Sequence, residues 1–159
     1  MKTIDMFLGR ITMYRLTLYY LIALIVVAMG LSLTGIIQYN TFAIAFMASY
    51  LTFVCWSANR VFGWVYQTPT NIESPLITAL ILTLIVTPTA TPHGILFLTA
   101  VAGLAMASKY LLAINKKHIF NPAAVAVVLT AAGPGIAASW WVGTTSMLPA
   151  VAIGGVLLV

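Results

Sequence analysis

A group of polar residues directly precedes an apolar segment near position 120. Lys116, Lys117 and His118 lie before the pair Asn121-Pro122, and the residues that follow are apolar. Proline suits a first helical turn because its missing N–H would be unpaired there, and an asparagine before it can cap the free amides. Those amides give a helix start partial positive charge, so cations beside it favour an anion such as a phosphate, a carboxylate or a reduced flavin ring. Alternatively, the lysines are plain cytoplasmic anchors.

A second apolar segment begins in the same way. The stretch ESPLITALILTL has Pro75 near its start and Ser74 as a candidate cap, with Thr78 one turn later. Paired short segments with polar, proline-containing starts are typical of inverted repeats, in which a binding site lies between half-helices. Two ordinary short spans with proline in the first turn are the alternative.

The composition places the chain in a membrane. Of the 159 residues, 62% are hydrophobic and only 6% are charged, whereas soluble domains have roughly 25% charged residues. The net charge of +5 comes from cations scattered over short inter-helix segments, which indicates topology determinants and no nucleic-acid partner. The single cysteine, Cys55, allows no intrachain disulfide, and neither His93 nor His118 has neighbours that would complete a metal site.

Hydropathy divides the chain into a short amphipathic segment and a transmembrane domain. Residues 1–15 are expected to lie at the cytoplasmic interface, and residues 16–159 to form an all-α integral membrane bundle with about six transmembrane segments, the third and fifth short and half-helix-like. The predicted segments are Leu16–Ile37, Thr41–Trp64, Ser74–Val86, Ile95–Ile114, Pro122–Ala132 and one that starts near Met147. The last ends in mid-span, which suggests an N-terminal fragment. This count puts all lysines and arginines on one side, so the N-terminus is expected in the cytoplasm.

Two stretches resemble a known family. KHIFNPAAVAVVL, preceded by SPLITALILTLIVTP, is similar to a membrane protein shared by two respiratory complexes, in the family called NqrB/RnfD. NqrB belongs to the sodium-translocating NADH:quinone reductase, and RnfD belongs to the Rnf electron-transport complex. The resemblance covers residues 74–159 well and the first seventy loosely. It is closest to a subgroup of small-genome bacteria in which a ferredoxin-reductase-like domain, binding FAD and NAD(P)H, follows the membrane domain.

The resemblance implies flavin cofactors. The family esterifies FMN to the last threonine of a Ser-Gly-Ala-Thr motif, and that threonine corresponds to Thr145. Val142 and Thr144 depart from the motif and two tryptophans precede it, so a noncovalent flavin (FMN or riboflavin), stacked on Trp140 or Trp141, is expected instead. Lys109 would either extend to the membrane interface or steady the N1–C2=O region of a flavin. The expected cofactor-binding residues are Thr145, Thr144, Trp140, Trp141, Asn121, Lys109, Lys116, His118, Ser74 and Thr78.

The resulting expectation is a membrane-embedded electron-transfer module of an NADH-linked respiratory-type oxidoreductase in the bacterial inner membrane. Its partners would be the lipid bilayer, a reductase domain or separate reductase protein and the other components of the complex, with coupling to cation transport left open. The site that oxidises the nicotinamide would lie outside this chain. A non-redox transporter or a membrane anchor built on the same half-helices is the alternative.

Overall fold

The computed structural model describes residues 13–114, 117–131 and 139–157, which form six helices and one short pair of strands. The helices are α1 (Met13–Leu33), α2 (Thr41–Val65), α3 (Glu73–Ile85), α4 (Pro92–Leu111), α5 (Pro122–Thr130) and α6 (Leu148–Leu157). Strands β1 (Ala113–Ile114) and β2 (Lys117–His118) pair antiparallel between α4 and α5. The predicted all-helical class is confirmed. Residues 1–12 of the predicted amphipathic segment lie outside the described residues, and residues 13–15 belong to α1.

Three helices are long and apolar enough to cross a membrane. Helices α1, α2 and α4 have 21, 25 and 20 residues, and about 20 residues span roughly 30 Å of hydrocarbon at 1.5 Å per residue. Helix α3, with 13 residues, and α5, with 9, are shorter, as their sequences predict. The chain therefore combines three candidate membrane-spanning helices with short apolar ones.

Asparagine and threonine side chains cap several helix starts. Asn40 accepts a hydrogen bond from the N–H of Phe42 before α2, and Thr91 accepts one from Gly94 before α4. Asn121 accepts a bond of 3.0 Å from the N–H of Ala123, with Pro122 in the first turn of α5. This confirms the cap that the sequence predicts at Asn121.

The cap predicted at Ser74 is wrong. Helix α3 begins at Glu73, so Ser74 is already helical, and its carbonyl oxygen accepts a hydrogen bond from the Thr78 hydroxyl. The side chain of Asn71, in the preceding loop, instead accepts a bond of 2.8 Å from the N–H of Glu73. An asparagine two residues ahead reaches the first free amide, whereas a serine inside the first turn does not.

The first four helices alternate in direction. Arg15 Nε lies 2.8 Å from Glu73 Oε1, so the starts of α1 and α3 are adjacent. The hydroxyls of Ser32 and Thr41, 2.7 Å apart, join the end of α1 to the start of α2. Lys109 Nζ donates to Asn59 Oδ1, which joins the later parts of α4 and α2. Of the described cations, Arg15, Arg60, Lys109 and Lys117 therefore lie at one end of the bundle, here called the cationic end.

Helix α3 lies between two hydrophobic clusters. One side contacts α2, α4 and α5 through residues such as Leu51, Leu82 and Met106. The other side contacts α1 and the segment before α6 through residues such as Leu24 and Met147. Large apolar side chains on the outside of the bundle, such as Phe42, Phe53, Leu96 and Val128, remain exposed. Such a surface is compatible with a membrane setting.

The contact between α1 and α6 depends on a glycine. The Tyr20 hydroxyl donates a hydrogen bond of 3.1 Å to the carbonyl oxygen of Ala150, and its ring lies where a Cβ on Gly154 would be. The neighbouring Gly155 has open space at the same position.

Gly154→Ala is expected to lower the free energy of unfolding by about 1–3 kcal/mol, because the added methyl group overlaps the Tyr20 ring. Gly155→Ala is the matched control and should be neutral or stabilise by up to about 1 kcal/mol, the helix propensity gained. Thermal unfolding of both variants in one detergent measures the difference. Equal unfolding temperatures for the two would contradict the close approach of α1 to α6.

Candidate functional site

Aromatic rings from α2 and α4 form a stack at the cationic end. The centroid of the Tyr110 ring lies 5.6 Å from that of Phe62 and 5.7 Å from that of Tyr66, with the two tyrosine rings inclined by 22°. The Tyr110 hydroxyl donates to Asn59, whose side-chain oxygen is 2.9 Å away. The stack thus fixes the last turn of α4 against that of α2.

Lys109 is held beside this stack by the same asparagine. Its Nζ donates a bond of 2.9 Å to Asn59 Oδ1 and lies 5.7 Å from the centroid of the Tyr110 ring, within the range of a cation–π contact. Asn59 is 2% exposed and receives both donors. Within the described part of the chain the one ion pair joins Arg15 to Glu73, so Lys109 is not paired with an acid there. An ammonium group has three N–H donors, and Asn59 takes one of them. Lys109 therefore retains donors for a ligand.

These groups line a cavity of about 410 Å³, here called the lysine cavity. Tyr66, Tyr110 and Lys109 form its wall at the ends of α2 and α4, and Asn71 and Ser74 line it at the start of α3. Polar and aromatic groups from three helices therefore converge on a space of ligand size.

A second cavity of about 350 Å³, the half-helix cavity, adjoins it and shares Tyr14 and Ser74 with it. Its lining includes Ser74 and Thr78 of α3 as well as Asn121 and Pro122. Residues at the starts of the two short helices therefore line the same cavity. Of the predicted cofactor-binding residues, Ser74, Thr78 and Asn121 line this cavity, and Lys109 lines the adjoining lysine cavity.

Other predicted residues lie at the opposite end of α3. Thr144 and Thr145 are exposed and line, with Ser139, Trp140 and Gly143, a cavity of about 540 Å³ called the threonine cavity. The backbone N–H groups of Ser139 and Trp140 both donate to the carbonyl oxygen of Ile85, the last residue of α3. At 1.5 Å per residue, the 13 residues of α3 separate the two groups by roughly 18 Å.

The two tryptophans have different roles. Trp141 is 4% exposed; its indole N–H donates a bond of 2.9 Å to the carbonyl oxygen of Thr83, and its ring meets Tyr39 edge-on. Trp140 is 64% exposed, with its backbone in the left-handed region at a φ of 36°. Of the pair, Trp140 is therefore the one whose ring is open to a ligand.

Two predicted residues remain, Lys116 and His118, and the structure describes only the backbone of His118. The backbone of His118 pairs with Ala113 in the short hairpin, and Lys116 and the side chain of His118 lie outside the described residues. Among the described residues, no group of three histidine, cysteine or acidic side chains could hold a metal ion.

Sequence reasoning missed Asn59, Tyr66 and Tyr110 as site residues. Asn59 is the one asparagine within α2, and a lone buried amide in an apolar helix was the signal that could have found it. Its partners on α4 are 50 and 51 residues away in the chain, so no local pattern pairs them.

Comparison with known proteins found no matching family model, no matching curated protein and no matching solved structure. The family resemblance therefore stays an expectation.

Trp141→Phe is expected to lower the free energy of unfolding by about 1–3 kcal/mol, because a buried carbonyl at the end of α3 loses its donor. Trp140→Phe, at the exposed neighbour, should change it by less than about 0.5 kcal/mol. Thermal unfolding in detergent measures both. Equal effects of the two substitutions would contradict a capping role for the Trp141 indole.

Asn59→Leu is expected to destabilise the protein by about 2 kcal/mol, because Lys109 loses its acceptor and Tyr110 keeps only the backbone carbonyl oxygen of residue 59. Adding Lys109→Met should recover part of that loss, since the ammonium group no longer needs a partner. A double-mutant cycle of unfolding free energies isolates this coupling. Strictly additive effects would show that the bond between Asn59 and Lys109 contributes nothing.

Proposed function

We propose that the protein is a membrane-embedded, flavin-binding electron-transfer module of an NADH-linked respiratory-type oxidoreductase. The observation that carries the proposal is the lysine cavity, in which Lys109 lies beside the stacked rings of Tyr66 and Tyr110. A flat, electron-accepting ring with polar edges suits a cavity that offers an aromatic face and an ammonium donor together.

The dimensions of the lysine cavity are compatible with a noncovalent flavin. Its volume of about 410 Å³ lies within the range of roughly 300–1,000 Å³ for small-molecule sites. Because Tyr66 and Tyr110 already stack on each other, a ligand ring would lie against the free face of Tyr66, which is 43% exposed. Lys109 would donate to a ring carbonyl, and Asn71 and Ser74 would bind polar substituents at the rim.

The electron chemistry would belong to the flavin, which accepts and releases electrons when bound. The protein would supply position and electrostatics. Lys109, fixed by Asn59, would hold positive charge at one edge of the ring, and the tyrosine stack would exclude water from one face. We assign the flavin to this cavity and not to an ester at Thr145, because Val142, which replaces the motif's hydroxyl residue, is buried in the core.

The proposed setting is the bacterial inner membrane. Three long apolar helices and the gathering of the described cations at one end support a multi-pass topology with that end, and the N-terminus, in the cytoplasm. Helices α3 and α5 would be the half-helices of an inverted repeat, and together with α6 they would bring the transmembrane segments to about six. The partners would be lipid, the other components of the complex and a reductase domain or separate reductase protein that supplies FAD and the nicotinamide site.

A second candidate function is non-redox transport of a small anion. A membrane anchor for a partner enzyme is a simpler alternative. The half-helix cavity favours the transporter, because the capped starts of α3 and α5 meet there with their partial positive charges. In that case Asn121 and Ser74 would contact the solute, and no flavin would be bound.

The test is an absorption spectrum of the detergent-purified protein, repeated on the supernatant after acid precipitation. Oxidised flavin gives bands near about 370 and 450 nm, and these should move to the supernatant. In riboflavin and FMN titrations followed by fluorescence, Lys109→Met should raise the Kd about tenfold, the value of one hydrogen bond from a charged donor. Arg60→Met is the matched control, because Arg60 lies at the same end over Trp56 and outside the cavity.

Three outcomes would contradict the assignment. Colour that stays in the pellet and disappears in Thr145→Ala would move the flavin to the threonine cavity. A colourless protein that takes up no added flavin would reject the redox function, and anion binding lost in Asn121→Ala would then support the transporter. Equal losses of affinity in Lys109→Met and Arg60→Met would reject the lysine cavity as the flavin site.

A further inference from the structure

An apolar cavity of about 610 Å³ opens between α1, α3 and α6. Leucine and isoleucine side chains of α1 and α3 line two of its sides, and Gly154 and Gly155 of α6 line a third. Because Gly155 has no side chain and has open space where a Cβ would be, a groove remains along α6. This space is called the glycine groove.

The glycine groove adjoins the threonine cavity. The two share Trp140, Val142 and Val151 as lining residues. An apolar groove therefore borders a chamber lined by the hydroxyl residues Ser139, Thr144 and Thr145. Such a combination matches a molecule with a hydrocarbon chain and a small polar head.

The charge distribution selects an uncharged head. Among the residues that the structure describes, no charged one lines either cavity. The described cations lie at the cationic end, across the length of α3. An ionised head in this chamber would gain no counter-charge from the described residues to offset any hydration that it lost. Threonine hydroxyls both donate and accept hydrogen bonds, so they suit a head that bears hydroxyl and ester carbonyl groups.

We propose that the glycine groove and the threonine cavity together bind an uncharged glycerolipid. One acyl chain lies along α6 past Gly155, and the glycerol head contacts the hydroxyls of Thr144 and Thr145. Trp140 stands at the junction with its ring exposed, the position that tryptophan favours between hydrocarbon and polar groups. This site is separate from the lysine cavity, so the lipid proposal does not depend on the flavin proposal.

The test is photo-crosslinking in vesicles of dioleoylphosphatidylcholine that contain a trace of diacylglycerol with a diazirine on one acyl chain. The crosslinked positions are mapped by mass spectrometry. Crosslinks should concentrate on groove residues such as Leu84 and Val151. Adding unlabelled dioleoylglycerol should lower the crosslinking yield at these residues by competition. Dioleoylphosphatidylglycerol, with the same chains and an anionic head, should compete at least about tenfold less well, the discrimination expected from one uncompensated polar group.

Matched variants locate the chain and the head separately. Gly155→Leu should abolish saturable labelling of the groove, and Gly155→Ala should reduce it, whereas Gly30→Leu, at another open helical glycine, should not. Thr144→Val with Thr145→Val should weaken competition by dioleoylglycerol about three- to tenfold, as expected for one lost hydrogen bond. Ser146 is next to the cavity but not in its lining, so Ser146→Ala should leave competition by dioleoylglycerol unchanged.

Several results would overturn the proposal, and the first two need no variant. Label spread evenly over lipid-facing residues such as Phe53 and Leu96, without saturation, would show ordinary bilayer contact. Equal competition by the anionic lipid would reject the uncharged head. Unchanged labelling in Gly155→Leu, confirmed as folded by thermal unfolding, would reject the groove.

Discussion

The ends of a helix too short to cross a bilayer must find hydrogen-bond partners inside the protein, and the structure depends on how α3 meets this constraint. Helix α3 has 13 residues, is largely buried, and lies between the two hydrophobic clusters. Its free amides and carbonyls would each cost several kcal/mol in hydrocarbon. At its start, Asn71 accepts from Glu73 N–H. At its end, the segment around Trp140 and Trp141 donates to the carbonyls of Ile85 and Thr83.

These capping segments also create the cavities. The loop that includes Asn71 lies over the ends of α2 and α4, where the lysine cavity forms. The segment that caps the other end must turn sharply to present three donors in succession, and Trp140 takes a positive φ in doing so. That turn directs its ring outwards between two cavities. Cavities at both ends of a buried short helix thus accompany the segments that satisfy its backbone.

Local signals in the sequence account for much of the fold. The start of α2 at Thr41 and the cap at Asn121 were predicted because an asparagine before a helix leaves a local signature. Ser74 was misassigned by the same rule, since serine and Asn71 are both good caps and only the backbone shows which precedes the first turn. Two contacts could not be predicted from the sequence, those of Asn59 with Lys109 and of Trp141 with Thr83. In each pair the residues are at least 50 positions apart in the chain, and only the packing of the helices brings them together.

The two ends of the bundle differ in what they can bind. At one end, stacked tyrosines and Lys109 line a cavity, and the Lys109 ammonium group has N–H donors that Asn59 does not use. At the other, hydroxyls and an exposed indole border an apolar groove that no charged residue in the described part of the chain lines. A charged or polarisable ring gains most from the first environment, where a low dielectric strengthens its interaction with Lys109. A neutral amphiphile gains most from the second, where the favourable term is apolar area removed from water. Helix α3 links the two environments, because Ser74 at its start lines the lysine cavity and Leu84 near its end lines the glycine groove.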